Sequence, residues 1–124
     1  MAAGTIPVSG VKLLWENPNT GTDFSSTEIS NSGGYAVYLI LYKMAKTASS
    51  YTTVPVVAVS NADVIVPVVS SPTAGTPVVS YRTVNKNVNT GRITIGNCQT
   101  REVTATSRTQ DNSLLIPVRV FGVI

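Results

Sequence analysis

Gly34-Tyr35-Ala36-Val37-Tyr38-Leu39-Ile40-Leu41-Tyr42-Lys43 is the stretch whose reading decides the fold. It is uncharged for nine residues, too short for an ordinary core helix, rich in aromatic and aliphatic side chains, and opened by Gly33-Gly34. Such a run fits a strand inside a sheet with both faces covered. In that reading Tyr38 and Tyr42 share a face while Tyr35 takes the other. The expected strand spans Tyr35 to Lys43 and is central.

Working outward, the same signals repeat. Upstream, Val11 to Trp15 is closed by Asn17-Pro18-Asn19-Thr20-Gly21, and Phe24 to Ile29 by Asn31-Ser32-Gly33-Gly34. Downstream come Tyr51 to Val59 and Val64 to Val69, whose Pro55 and Pro67 donate no ladder hydrogen bond and push both to edges or bulges. A Ser70 to Pro77 loop leads to Val78–Val84, with Val79, Tyr81 and Thr83 opposite Val78, Ser80, Arg82 and Val84. Arg92 to Ile95 ends at Gly96-Asn97, Arg101 to Ser107 alternates as a half-solvated strand does, and Leu114 to Val123 is apolar apart from Arg119, with Pro117 and Gly122 as interruptions.

Composition agrees. Nineteen valines, eight isoleucines and sixteen threonines in 124 residues place β-branched side chains, which lose rotamer freedom in helices, at more than a third of positions. The expected class is all-β: a single-domain antiparallel β-sandwich or jelly-roll-like fold of about eight or nine short strands over residues 11–124. Residues 1–10 are expected to be a flexible leader or attachment peptide. Val118, Val120, Phe121, Val123 and Ile124 would be wasted on a frayed tail, so the chain end is expected to be strapped into a sheet or against a partner subunit.

Several kinds of chemistry drop out. The chain has no histidine, which removes the commonest general base, the commonest metal ligand and every Ser-His or Cys-His nucleophile. Cys98 is the one cysteine, which excludes an intrachain disulfide and a multi-cysteine metal site, and a free cysteine is usually a small buried apolar residue. The six carboxylates, Glu16, Asp23, Glu28, Asp63, Glu102 and Asp111, form no calcium-loop or catalytic spacing. No catalytic, cofactor-binding or metal-ligating residue is expected, and no cofactor; the chain reads as a non-enzyme.

Nine Lys and Arg against six Asp and Glu leave +3, with the cations scattered, a weak footprint for specific nucleic-acid binding. Prolines and hydroxyl residues break the Val64 to Tyr81 run, so no membrane helix is expected, and Met1 to Gly10 lacks the form of a signal peptide. Charged residues are only 12% of the chain, about half the usual share, which points to exterior surface buried in an oligomer. Tyr38, Tyr42, Val118, Val120, Phe121 and Ile124 are the candidate oligomer interface. Trp15, Tyr51 and Tyr81 are the candidate stacking residues for a ligand. Arg119, inside an apolar strand, should have an acidic or backbone partner.

Val11-Lys12-Leu13-Leu14-Trp15-Glu16-Asn17-Pro18-Asn19, then Phe24 to Ile29, then Gly34 to Tyr42, resembles the start of small all-β modules in structural proteins of tailed bacteriophages. Tyr81-Arg82-Thr83-Val84, Ile93 to Asn97 and the closing Leu115-Ile116-Pro117-Val118-Arg119-Val120-Phe121-Gly122-Val123-Ile124 are similar to their later parts. The resemblance implies a virion component of a tail, fibre or head appendage, assembled in the host cytoplasm. It implies a symmetric homo-oligomer, a trimer favoured, with other virion proteins as partners and a host cell-surface glycan as a further one. The alternative from another class is a stand-alone carbohydrate-binding β-sandwich.

Overall fold

The computed structural model describes residues 10–73 and 75–124, in which ten strands form two antiparallel sheets and no helix appears. The strands are β1 (Val11–Glu16), β2 (Thr27–Glu28), β3 (Val37–Ala45), β4 (Tyr51–Val57), β5 (Asp63–Ile65), β6 (Val68–Thr73), β7 (Thr76–Lys86), β8 (Ile93–Glu102), β9 (Thr109–Gln110) and β10 (Leu114–Val123). The four-stranded sheet runs β1-β10-β3-β4. The six-stranded sheet runs β2-β8-β7-β5, with β6 also on β7 and β9 also on β8. The fold is a β-sandwich.

The expected leader falls outside the described residues except for Gly10, whose carbonyl accepts from Ile124 N at 2.7 Å. The carboxyl-terminal strand is strapped in as its composition required: β10 lies between β1 and β3, an interior place in its sheet. Pro117 is tolerated in this central strand because the register shifts between Pro117 and Arg119, and a bulge needs no donor there. Pro55 sits where a proline costs least, on edge strand β4.

Alternation sets the core. On β3, Tyr38, Ile40 and Tyr42 point inward and are buried, whereas Val37, Leu39 and Leu41 point outward and are half-buried. So β3 is central, but only one of its faces is fully covered by the described residues. Leu14, Val54, Val56, Leu115 and Val120 extend that layer, and Val84, Ile93, Ile95 and Cys98 answer it from the other sheet. Each large side chain so buried contributes about 1.5–3 kcal/mol.

Four expectations are corrected. Ser70 to Pro77 is not a loop: β6 reaches Thr73, β7 starts at Thr76, and Gly75 at φ +81° turns the chain between them. Gly96-Asn97 does not end a strand, because β8 runs on to Glu102 past a register shift. Arg101 to Ser107 is strand only to Glu102; Ala105 N then bonds back to Glu102 O at 2.9 Å and the chain turns. Phe24 to Ile29 shrinks to Thr27–Glu28, since Phe24 spends its backbone on Asn112 O and on the Arg82 side chain.

Tyr35 also differs from its expected place. It precedes β3, so the strand's alternation does not reach it, and its ring meets Tyr38 edge-on at 6.1 Å. That ring lies so close over Gly122 that a Cβ there would sit 2.4 Å from it. Gly122 is therefore required by packing.

Candidate functional site

Cations and acids were read in the sequence as scattered, and the structure sorts them. Lys46 pairs with Asp23 at 2.9 Å, Arg92 with Glu28 at 3.4 Å and Arg119 with Glu16 at 2.7 Å, all at the surface. Arg119 thus has the acidic partner expected of it, supplied by the neighbouring strand β1. Asp111 accepts from Ser113 N and Oγ. Among the described residues no three His, Cys, Asp or Glu side chains converge as metal ligands would. Cys98 is fully buried, and desolvation pushes its thiol up to about 11, so little thiolate forms at neutral pH.

The arginine that sequence reading missed is Arg82. It is 2% exposed and has no carboxylate partner; instead it donates to Leu115 O at 2.7 Å, Phe24 O and Gly96 O at 2.9 Å, Leu114 O at 3.0 Å and Asn112 O at 3.3 Å. All five guanidinium N–H groups are thereby used. Its Cζ lies 5.3 Å from the Phe24 ring centroid. Desolvation pulls the guanidinium below its ordinary pKa, with Cys98 and Tyr42 opposing the shift.

Successive carbonyls of a regular strand point to opposite sides, yet those of Leu114 and Leu115 both reach Arg82. Leu115 manages this at φ +46°, a conformation costly for a branched side chain and retained where the surroundings fix it. Arg82 therefore ties the six-stranded sheet to β10 of the other. Its role is structural. A second buried link runs from Tyr38, whose hydroxyl donates to Ser32 O, through Ser32 Oγ, which accepts from Ile93 N at 2.9 Å.

The candidate interface residues separate into two groups. Tyr38, Tyr42 and Val120 lie in the chain's own core, so they have no surface to offer a neighbour: their parity on β3 and β10 turns them toward the other sheet. Val118 and Phe121 are half-buried and Ile124 is exposed. Phe121 belongs to an outward-facing array. Across the four strands run Leu13, Phe121, Leu39 and Pro55 in one row and Glu16, Arg119, Leu41 and Thr53 in the next, with the pairs Val11–Val123 and Val37–Val57 beyond. Leu13 is 49% exposed and Val57 61%. An apolar patch of this kind, with its one ion pair internally neutralised, is what an interface core looks like.

The stacking candidates do not form a row. Trp15 and Tyr51 stand on β1 and β4, the opposite edges of one sheet, about 14 Å apart by strand spacing, and Tyr81 is on the other sheet. Trp15 is moreover turned inward by the register shift between Leu13 and Trp15, and packs edge-on against Phe24 at 5.9 Å. Tyr51 is 56% exposed. Tyr81 is the one that meets polar and charged neighbours in a groove, with Arg101, Thr106, Ser107 and Arg108.

Compared with models of protein families, with curated proteins and with solved structures, the chain finds no match. The functional reading therefore rests on the residues and faces described above.

Proposed function

We propose that this protein is a non-enzymatic structural module that assembles with copies of itself into a closed symmetric oligomer, serving as a virion component of a tailed bacteriophage. The observation that carries the assembly is the outer face of the four-stranded sheet. Leu13, Phe121, Leu39 and Pro55 line up across all four strands, and no element of the described chain covers them. The occupant that fits is a second copy: the face is apolar, its Glu16–Arg119 pair cancels its own charge, and so it does not repel itself although the chain carries +3. The low charged fraction supports the same reading. The virion assignment is supported by the resemblance across Val11 to Ile124, which also favours a trimer, assembly in the host cytoplasm and a part in host attachment.

The test is the absolute mass in solution, by light scattering after size exclusion at two concentrations and in high salt. A closed oligomer that survives salt, and that falls to monomer in Leu13→Glu and Phe121→Glu, is the expected result. A monomer at both concentrations overturns the assembly and makes a stand-alone carbohydrate-binding module the leading reading. Sedimentation of the protein with particles from a lysate of the producing host tests the virion assignment.

A further inference from the structure

The outer face of the six-stranded sheet, opposite the apolar array, carries a second feature. Tyr81 projects outward from β7 opposite Gln99, and Arg101, two residues further along β8 and opposite Val79, stands diagonally beside it. The connection from β8 to β9 folds back over this face and brings Arg108 to Tyr81, Nη1 donating to the phenol oxygen at 2.7 Å. Arg101, Arg108, Tyr81, Thr106, Ser107 and Val79 line a groove of about 570 Å³, within the ordinary range for small-ligand sites. Beyond Tyr81 and Arg108 the concavity continues over Gln99, Asn97 and Thr83.

Two arginines line this groove together. Lys46, Arg92 and Arg119 each have a carboxylate within 4 Å, whereas neither Arg101 nor Arg108 takes part in an ion pair among the described residues. Two exposed guanidinium groups beside one ring, neither of them ion-paired, present their forks to an anion. The Tyr81 ring offers a flat apolar surface between them, and Thr106, Ser107 and Gln99 supply hydroxyl and amide groups.

We propose that this groove binds an acidic carbohydrate, Arg101 and Arg108 holding the carboxylate or sulfate of one sugar residue and Tyr81 receiving its ring. A sugar is favoured over a nucleic acid because a phosphate backbone needs an extended basic track. Here there are two cations, and Glu102 and Asp63 stand where such a track would continue. The site is on the sheet opposite the proposed assembly face, so an oligomer leaves it open, and either idea can fail while the other stands.

The experiment is titration calorimetry on the full chain with trigalacturonate, a chondroitin sulfate disaccharide, uncharged maltotriose and a twelve-residue oligothymidylate. Binding of either acidic sugar, weakened by salt, is expected; binding of trigalacturonate shows that a carboxylate suffices, and binding of the chondroitin sulfate disaccharide alone points to the sulfate. Arg101→Ala with Arg108→Ala, and separately Tyr81→Ala, should each lower the affinity at least about tenfold, while Tyr81→Phe keeps the ring and should stay within about threefold. Both arginines are exposed, so circular dichroism of the double variant should match that of the parent. Equal binding of maltotriose, tighter binding of the oligothymidylate, an unchanged affinity in the arginine variant, or no heat with either acidic sugar at roughly 10 mM would overturn the site.

Discussion

Between its sheets this protein buries an arginine, and on the outside of its four-stranded sheet it shows leucine, valine and phenylalanine to solvent. The two regions invert the usual arrangement for different reasons. Arg82 is affordable inside because five carbonyls receive its five N–H groups and the Phe24 ring lies against it, so its desolvation is offset. The exposed array has no such internal compensation: Leu13, Phe121 and Leu39 gain nothing from facing water. A buried polar group with every partner present reads as architecture. An exposed apolar row with no partner reads as an interface.

The largest expected effect comes from breaking the buried side of that contrast. Arg82→Met keeps the apolar stem but takes the guanidinium donors from the carbonyls of Leu114, Leu115, Phe24, Gly96 and Asn112, of which Asn112 O keeps the Phe24 N–H, and should cost about 3–5 kcal/mol in urea denaturation. Arg82→Lys, with three donors in place of five, should recover only part of this. If Arg82→Met were as stable as the parent, the arginine would not be what joins the sheets.

Gly122→Ala comes next. Its Cβ would meet the Tyr35 ring, and an overpacked contact of that kind costs about 1–3 kcal/mol. Combined with Tyr35→Leu, the loss should be smaller than the sum of the single losses, which a double-mutant cycle reads directly.

Alkaline pH gives a smaller and sign-defined effect. In the unfolded chain the Cys98 thiol ionises near its ordinary value of 9.0, whereas the fold holds the proton until about 11 because burial disfavours the thiolate. Burial raises the Tyr42 and Tyr38 hydroxyls as well. Unfolding therefore releases protons above pH 9, and stability should be full below that pH and decline progressively between 9 and 11. Denaturation midpoints at pH 7, 9 and 10.5 measure the slope, and Cys98→Ala should flatten its first part.

The smallest effect on stability, and the sharpest on assembly, belongs to the outer face. At concentrations too low for assembly, Leu13→Glu should change the unfolding free energy of the monomer by no more than about 0.5 kcal/mol, since Leu13 is half-exposed on an edge strand. Introducing a charge at Arg82's depth unfolds a protein unless every partner is present; introducing one at Leu13 should only separate the copies. A large loss of stability at Leu13 would place that face inside the fold's own energetics and dissolve the contrast.

Much of the fold was legible because side-chain period and turn chemistry are local. The central strand from the Tyr38 run, the edge position of Pro55 and the captured carboxyl terminus all followed from a few residues each. Misreadings cluster where a turn residue serves a bulge or a tight reversal. Gly96 looked like a stop, yet β8 runs through it because it backs onto Thr83, where a Cβ would lie 2.1 Å from the hydroxyl. The β6–β7 reversal looked like a long loop because serine, threonine and proline are turn residues until a partner strand claims them. For the candidate site, Tyr81 was legible as an aromatic outside a core run; its company was not, since Arg108 arrives from a separate segment.

Arg82 and Arg119 mark the boundary between the two kinds of knowledge. Each sits among apolar residues on a strand, and each alternates with its neighbours in the same way. The sequence by itself determined that both lie in strands and which residues share the Arg82 face, because a period of two is a property of the backbone alone, whereas the bulge beside Arg119 resets the faces of β10. Only the tertiary structure decided that the Arg82 face meets the opposing sheet and the Arg119 face meets water, because that depends on which segments pair and on carbonyls delivered from Phe24, Gly96, Asn112, Leu114 and Leu115, up to 58 residues away along the chain.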